Sequence, residues 1–268
     1  MSRLCALLGV TRAGYYAWAA RAESAHSERD RFVVRAIRKI FEASDGTYGS
    51  PRVQRQLVAQ GVRVSRRRVE RLMRAAGMRG RVARVYRSNP RLHQVYAQHP
   101  NRLWESRAKR PDAIWVGDVT YLRVSTHWCY LAVVMDQFSR RVVGWSLKRT
   151  RGTTLTRAAF DQAYWRGQPR RLIFHSDRGV EYAAPGFRDR LTTLGVRQSM
   201  TRGGSPADNA HAESFFHSLK ADVVHGVAFM TDDSLRKCLR RYVRYYNHQR
   251  LHSSLGYRSP SEFERLVA

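Results

Sequence analysis

The sequence predicts an α/β chain in which a helical, basic first part precedes a mixed sheet. Three observations carry this reading. Apolar residues recur at helical spacing up to about residue 78; three β-rich runs with short turns follow from residue 112; later segments alternate between helical stripes and short apolar strands.

In "LCALLGVTRAGYYAW" apolar residues precede Gly9 and resume after Thr11, a potential cap, which predicts two very short helices around a turn. A longer helix is expected from about Ser27, because Val33, Ile37, Ile40 and Phe41 recur at i, i+4, i+7 and i+8. In "GSPRVQRQLVAQGVRVSRRRVERLMRAAG", Ser50 can cap a helix with Pro51 in its first turn and Gly61 at its end. Ser65 can cap a second helix that Gly77 ends. The pair reads as a helix-turn-helix with Val69, Leu72 and Met73 facing inward. Arg66, Arg67, Arg68, Arg71 and Arg74 would then line its outer side as DNA contacts; an ordinary helical hairpin with solvated arginines is the competing explanation. Residues 1–78 form this region, and residues 79–111, rich in Arg, Lys and His with little periodicity, read as a basic linker.

From Asp112, "IWVGDVTYLRV", "WCYLAVVMDQF" and "RRVVGWSLK" predict a three-stranded antiparallel meander. A helix over residues 153–165 follows, then the strand "RLIFH", a helix near 186–194, the strand "VRQSM" and the helix of "NAHAESFFHSLK". This order describes a ribonuclease-H-like α/β fold over residues 112–225, with a basic helix and tail over 226–268.

Of 268 residues, 43% are hydrophobic, enough for one large core or two smaller ones. Lys and Arg number 49 against 21 Asp and Glu, a formal charge of +28, which points to a polyanionic partner such as nucleic acid. Cys5, Cys129 and Cys238 stand far apart, so neither a disulfide framework nor a four-ligand zinc site is indicated. No apolar run approaches the ~20 residues of a membrane span, and a cytoplasmic protein without a membrane partner is expected.

Against this charge, three acids stand out. Asp118 interrupts an apolar strand, where an unpaired charge is costly; Asp177 leaves the carboxyl end of a predicted central strand. On the later helix, Ala212, Phe215, Phe216 and Leu219 form an apolar stripe, while Asn209, Glu213, His217 and Lys220 share another face. Asp208 has a plainer role beside Ser205 and Pro206 in the helix start, where the dipole favours an acid. Two Mg²⁺ ions held ~4 Å apart by Asp118, Asp177 and Glu213 would clamp the attacking and leaving oxygens of a phosphodiester. Taken singly, each acid could equally be a salt-bridge partner for one of the many arginines.

Thirty-five residues separate Asp177 from Glu213. With "WVGDVTYL", "HSDRGVEY" and "ADNAHAESFFHSLK", that spacing resembles the DDE catalytic core shared by retroviral integrases and many bacterial transposases. More narrowly, "LLGVTRAGYYAW", "YGSPRVQRQL", "VSRRRVERLMRAAGM" and "YNHQRLHSSLGYRSPSEFE" make nearly the whole chain similar to the second-frame product (OrfB) of the insertion sequence three family. The resemblance implies an integrase-type core whose metal-binding, catalytic triad is Asp118, Asp177 and Glu213, served by Mg²⁺ with Mn²⁺ as a substitute. It implies that Asn209 and Lys220 approach the element's terminal DNA. Tyr246, Asn247, Arg250 and His252 match the C-terminal pattern, with Arg250 expected at DNA and the helix before it either on phosphates or packed as a scaffold by Leu239, Tyr242 and Tyr246. Glu181 replaces a common glutamine, and Ala207 a more usual aromatic or cysteine.

What the resemblance implies is a transposase that cleaves one element end, transfers the 3′-hydroxyl beside the other end, and later integrates a circular intermediate. Its partners would be element-end and target DNA, further copies of itself on that DNA, and the first-frame (OrfA) region, fused or separate, since this sequence contains no long leucine heptad. His175 and His217 are expected to orient neighbours rather than catalyse. Two other classes compete: a metal-dependent nuclease of the same fold, which would cut without joining, and a non-catalytic DNA-binding regulator, which the three acids disfavour.

Overall fold

Side-chain oxygens decide where most of the first helices begin. The computed structural model describes residues 2–20, 24–81, 108–201, 210–224 and 227–267, which fall into two compact units, Met1–Gly80 and Arg81–Ala268. The first unit holds α1 (Ser2–Leu7), α2 (Arg12–Ala19), α3 (Ala25–Ala43), α4 (Ser50–Ala59) and α5 (Arg66–Ala75). Thr11, Ser24 and Ser65 each accept a backbone N–H three residues on, at 3.0, 3.2 and 3.3 Å, and so start α2, α3 and α5. α3 thus begins two residues before the expected Ser27. The cap of α4 also differs from expectation: Gly49 occupies it without a side-chain bond, and Ser50 is already helical. Pro51 explains the tolerance, because it lacks one of the N–H groups that a cap would satisfy. Gly61 (φ +80°) and Gly77 (φ +69°) end α4 and α5 in the left-handed region. Val33, Ile37, Val53, Leu57, Val69, Leu72 and Met73 are buried and make the unit's core.

In the second unit, β1 (Ile114–Val124), β2 (His127–Asp136) and β3 (Val142–Lys148) form the antiparallel meander. Then come α6 (Thr153–Gly167), β4 (Ile173–Ser176), α7 (Val180–Ala183), α8 (Pro185–Thr193) and β5 (Arg197–Met200), with β4 parallel to both β1 and β5. The sheet order is β3-β2-β1-β4-β5. Strand alternation splits β1 and β2 between two apolar layers. Val116, Leu122, Leu131 and Val133 pack with Phe215 and Leu219 of α9 (Ala210–Leu219) and with Leu235 and Leu239 of α10 (Asp232–His248). Trp115, Ala132 and Val134 face Phe160 of α6, Tyr182 of α7 and Phe187 of α8.

Four elements among the described residues lie beyond those expected: α7, a π-helical turn at Lys220–Val224 that continues α9, a 3-10 turn at Ser253–Leu255, and α11 (Pro260–Val267). α10 is a scaffold helix, since Leu239, Tyr242 and Tyr246 are buried in the sheet's own core. Asn247 at its end accepts from the Val142 N–H and donates to the Val142 carbonyl, both at 2.9 Å, pairing the edge strand β3 through a side chain. Most of the expected basic linker, residues 82–107, lies outside the described residues, as do Asn209 and the helix start containing Asp208.

Candidate active site and nucleic-acid interface

Asp118 is the first β1 residue beyond the ladder with β4, which pairs only Ile114 to Gly117. Its carboxylate therefore sits where β1 loses that neighbour, with Oδ1 accepting the Val119 N–H at 2.8 Å. Asp177 follows the last residue of β4 and accepts the Gly179 N–H at 3.0 Å. Glu213 lies in the first turn of α9 and is exposed, together with His217, while Ala212, Phe215, Phe216 and Leu219 are buried as the helical stripe predicts.

The three acids share one electrostatic field. Burial pushes the Asp118 carboxyl well above its ordinary range, and the charges of Asp177, Glu213 and Glu181 push it further. Asp177 is also raised, chiefly by burial and then by Glu181, against the pull of Gly179 and Arg151. Burial raises Glu213 as well. Beneath them the buried Tyr182 phenol is held well above its usual value by burial and by the charges of Asp118, Asp177 and Glu181.

Glu181 is the member whose place the sequence did not resolve. It is buried on α7, and its Oε1 accepts two bonds from Arg151, from Nε at 3.1 Å and from a terminal nitrogen at 2.8 Å. Its Oε2 is buried without a hydrogen-bond partner. Gly179 makes this possible, because a Cβ there would lie 2.9 Å from the Glu181 carboxyl and 3.0 Å from Asp177 Oδ1. The donor set is thus made of hard carboxylate oxygens, with an unpartnered one at its edge, and it fits a divalent oxygen-seeking cation. Among the described residues, the one group of potential ligand atoms all within 4.8 Å of one another lies elsewhere, at His127, Cys129 and Asp232; the three acids are spread more widely than that. Asp232 is already engaged: Oδ1 meets His127 Nε2 at 2.7 Å and Cys129 Sγ at 3.5 Å, and Oδ2 accepts from Arg149 at 2.6 Å. At the start of α10, where the helix dipole favours an acid, that cluster serves as an internal knot.

The cations expected at DNA divide into two groups. Arg66 and Arg67 are exposed at the start of α5 with no ion-pair partner among the described residues. Arg68 and Arg71 both bind Asp30 of α3 at 2.7 Å, so part of their bonding capacity ties α5 to α3. Lys220 opens the π-helical turn; partial desolvation lowers its ammonium, against the attraction of Asp118. Arg250 departs from expectation. It is only 6% exposed, its Nε donates to Asp222 Oδ2 at 3.0 Å, and a terminal nitrogen donates to Ser218 Oγ at 3.1 Å. Tyr242 donates to the same Asp222 oxygen at 3.0 Å. Arg250 is a buried strut between α10's end and the π-helical turn, and a guanidinium enclosed in this way cannot reach phosphate. His175 is buried beside Ser199, 2.9 Å from Nδ1 to Oγ.

Comparison with known proteins accords with this architecture. An integrase core domain matches residues 108–206, a second integrase core model matches residues 194–260, and an HTH-like domain matches residues 27–86. The transposase InsF of insertion sequence IS3A from Escherichia coli K12 is 35% identical over 97% of this chain and 92% of its own length. The transposase of element IS904 from Lactococcus lactis is 33% identical over 85% of this chain and 92% of its own. Among solved structures, the HTLV-2 integrase catalytic core in complex with magnesium aligns at 21% identity and TM-score 0.44, covering 59% of this chain and 98% of that one. No helix among the described residues is long and apolar enough to cross a membrane. With both its helix-turn-helix and its core matched, and with relatives similar over almost its entire length, the chain belongs to the IS3-type family of insertion-sequence transposases, polynucleotidyl transferases built on an integrase core.

Proposed function

We propose that this transposase cuts and joins DNA strands at a site formed by Asp118, Asp177 and Glu213, which would hold two Mg²⁺ ions, with Mn²⁺ as a substitute. The observation that carries this is the convergence of acids at one end of the sheet: Asp118 and Asp177 each follow the last β1–β4 pair, Gly117 with Ser176, Glu213 and Glu181 add their charges to the field on Asp118, and among the described residues no cationic side chain donates to the Asp118 carboxylate. When bound, the ions supply charge neutralisation at the attacking and leaving oxygens of an in-line displacement. The protein's part is to fix the acids. The paired strands β1 and β4 hold Asp118 and Asp177 just beyond their last pair, and the buried stripe of α9 presents Glu213. Glu181 keeps Arg151 next to Asp177, which limits repulsion among the acids before a cation arrives.

Residues 1–78 are assigned to DNA binding through Arg66 and Arg67, with Lys220 and Asn209 at the element end. Several copies acting on the two ends, together with the first-frame region, complete the proposed assembly, and work on DNA is the ground for assigning it to the cytoplasm. The test incubates the chain, alone and joined to the first-frame region, with labelled element-end DNA and Mg²⁺ or Mn²⁺. Metal-dependent joined strands that vanish in Glu213→Gln are expected. Cleavage without joining would replace strand transfer by nuclease activity, and binding without any product would leave a regulator.

A further inference from the structure

The β1–β2 hairpin carries two large aromatic side chains in solvent. Tyr121 is 56% exposed and Trp128 45%, with ring centroids 5.2 Å apart and ring planes at 86°. Each ring has a cation over it: Lys220 Nζ lies 5.1 Å from the Tyr121 centroid, and the Arg123 guanidinium 5.0 Å from that of Trp128. Cross-strand register explains the grouping. Arg123 stands opposite Trp128, Tyr121 opposite Tyr130, and Tyr130 opposite Lys148 of β3, so all five project from one sheet face, where Tyr130 packs against the core that includes α6 while Tyr121 and Trp128 stay exposed.

The platform is held firmly. His127 is tied to Asp232 at 2.7 Å, the Ser125 N–H donates to the Phe229 carbonyl at 2.8 Å, and Arg123 Nε donates to the Ser125 carbonyl at 2.9 Å. Exposed rings on a fixed turn lose little freedom on binding. Flanked by cations, they match the two needs of an unpaired nucleotide: π-faces for the base and positive charge for its phosphates. A paired duplex would offer this surface only phosphates, since its bases are stacked internally.

We propose that Tyr121 and Trp128 form a stacking platform for an unpaired nucleobase at the DNA end, with Arg123 and Lys220 on the flanking phosphates. The inference rests on the reading of the acid cluster as a strand-transfer site, because Lys220 joins the two places: it covers the Tyr121 ring and lies within electrostatic reach of Asp118. A base held here belongs to a nucleotide near the reacting phosphodiester, so opening of the end would accompany its docking.

The test measures binding of the full chain, in chelator, to a short mixed-sequence single strand and to a fully paired duplex of the same length. Tyr121→Ala with Trp128→Ala should weaken single-strand binding by roughly 5- to 150-fold, the range for losing one stacked base, while duplex binding stays within about twofold. Tyr121→Phe with Trp128→Phe keeps the π-faces and should restore most of the loss. A 2-aminopurine at the strand end should be quenched on binding by the wild type and not by the double alanine variant. Equal loss on both DNAs, no loss on either, or a changed oligomeric state with unaltered DNA binding would each overturn the platform. Failure of the strand-transfer reading would show separately, as an absence of metal-dependent joining by the wild type.

Discussion

Asp232 and Asp118 project from the same unit, yet their surroundings move their acidity in opposite directions. Arg149 and His127 hold the Asp232 carboxyl down at about 2, and both of its oxygens have partners. Asp118 is pushed well above its ordinary value by burial and by three other acids. Asp222 too has partners for its carboxylate, accepting from Arg250 and Tyr242 in the core. A chain with 49 basic residues can neutralise any carboxylate that it uses as a strut. Acids that the fold brings together without that compensation store repulsion that a cation would relieve.

The largest expected effect breaks the comparison on the catalytic side. Asp118→Asn, Asp177→Asn or Glu213→Gln should each lower strand joining by on the order of a thousandfold, the weight of several kcal/mol of transition-state stabilisation. The sign reverses for stability in chelator. A carboxyl whose folded pKa exceeds the unfolded 3.8 favours folding below that pH, and its contribution is lost as pH rises through the folded value. Metal-free wild type should therefore lose stability on going from about pH 4 towards neutrality, and Asp118→Asn should lose less.

Next in size is the buried strut. Arg250→Ala leaves Asp222 charged and enclosed, which should cost about 3–5 kcal/mol in urea unfolding. The salt dependence of DNA binding should stay unchanged. Asp232→Asn should cost about 1 kcal/mol, because the cluster is partly open to solvent. With its folded pKa depressed, the Asp232 contribution is present above 3.8 and disappears as pH falls through about 2, so acid unfolding of wild type and variant should converge there.

The smallest effects separate the arginines of α5. Arg66→Ala and Arg67→Ala should each reduce the slope of log affinity against log salt by about one, with stability within ~0.5 kcal/mol of wild type. Arg68→Ala should instead destabilise the first unit, since it strips Asp30 of one of its two guanidinium partners.

Much of the fold was legible because it is written locally. β-rich runs separated by short turns placed β1, β2 and β3; the stripe of Ala212, Phe215, Phe216 and Leu219 fixed the buried face of α9 and so the outward Glu213; Ser65 and Gly77 bounded α5. What stayed hidden depends on residues far apart in the chain. Arg250 looked like a surface cation until Asp222, 28 residues away, enclosed it. Glu181 gained meaning only from Arg151, and the Asp232 knot spans more than a hundred residues. The π-helical turn has no periodic signature, since it is a single turn that tertiary contacts impose on the end of α9.

The most direct measurement of the central claim is thermal unfolding of wild type and Asp118→Asn near neutral pH, with chelator and with millimolar Mn²⁺. Wild type should melt below the variant in chelator and rise with Mn²⁺, while the variant shows little response, because the ion binds the folded acids and relieves their repulsion. Equal melting in chelator with no metal response in either protein would contradict the claim that these carboxylates form a cation site.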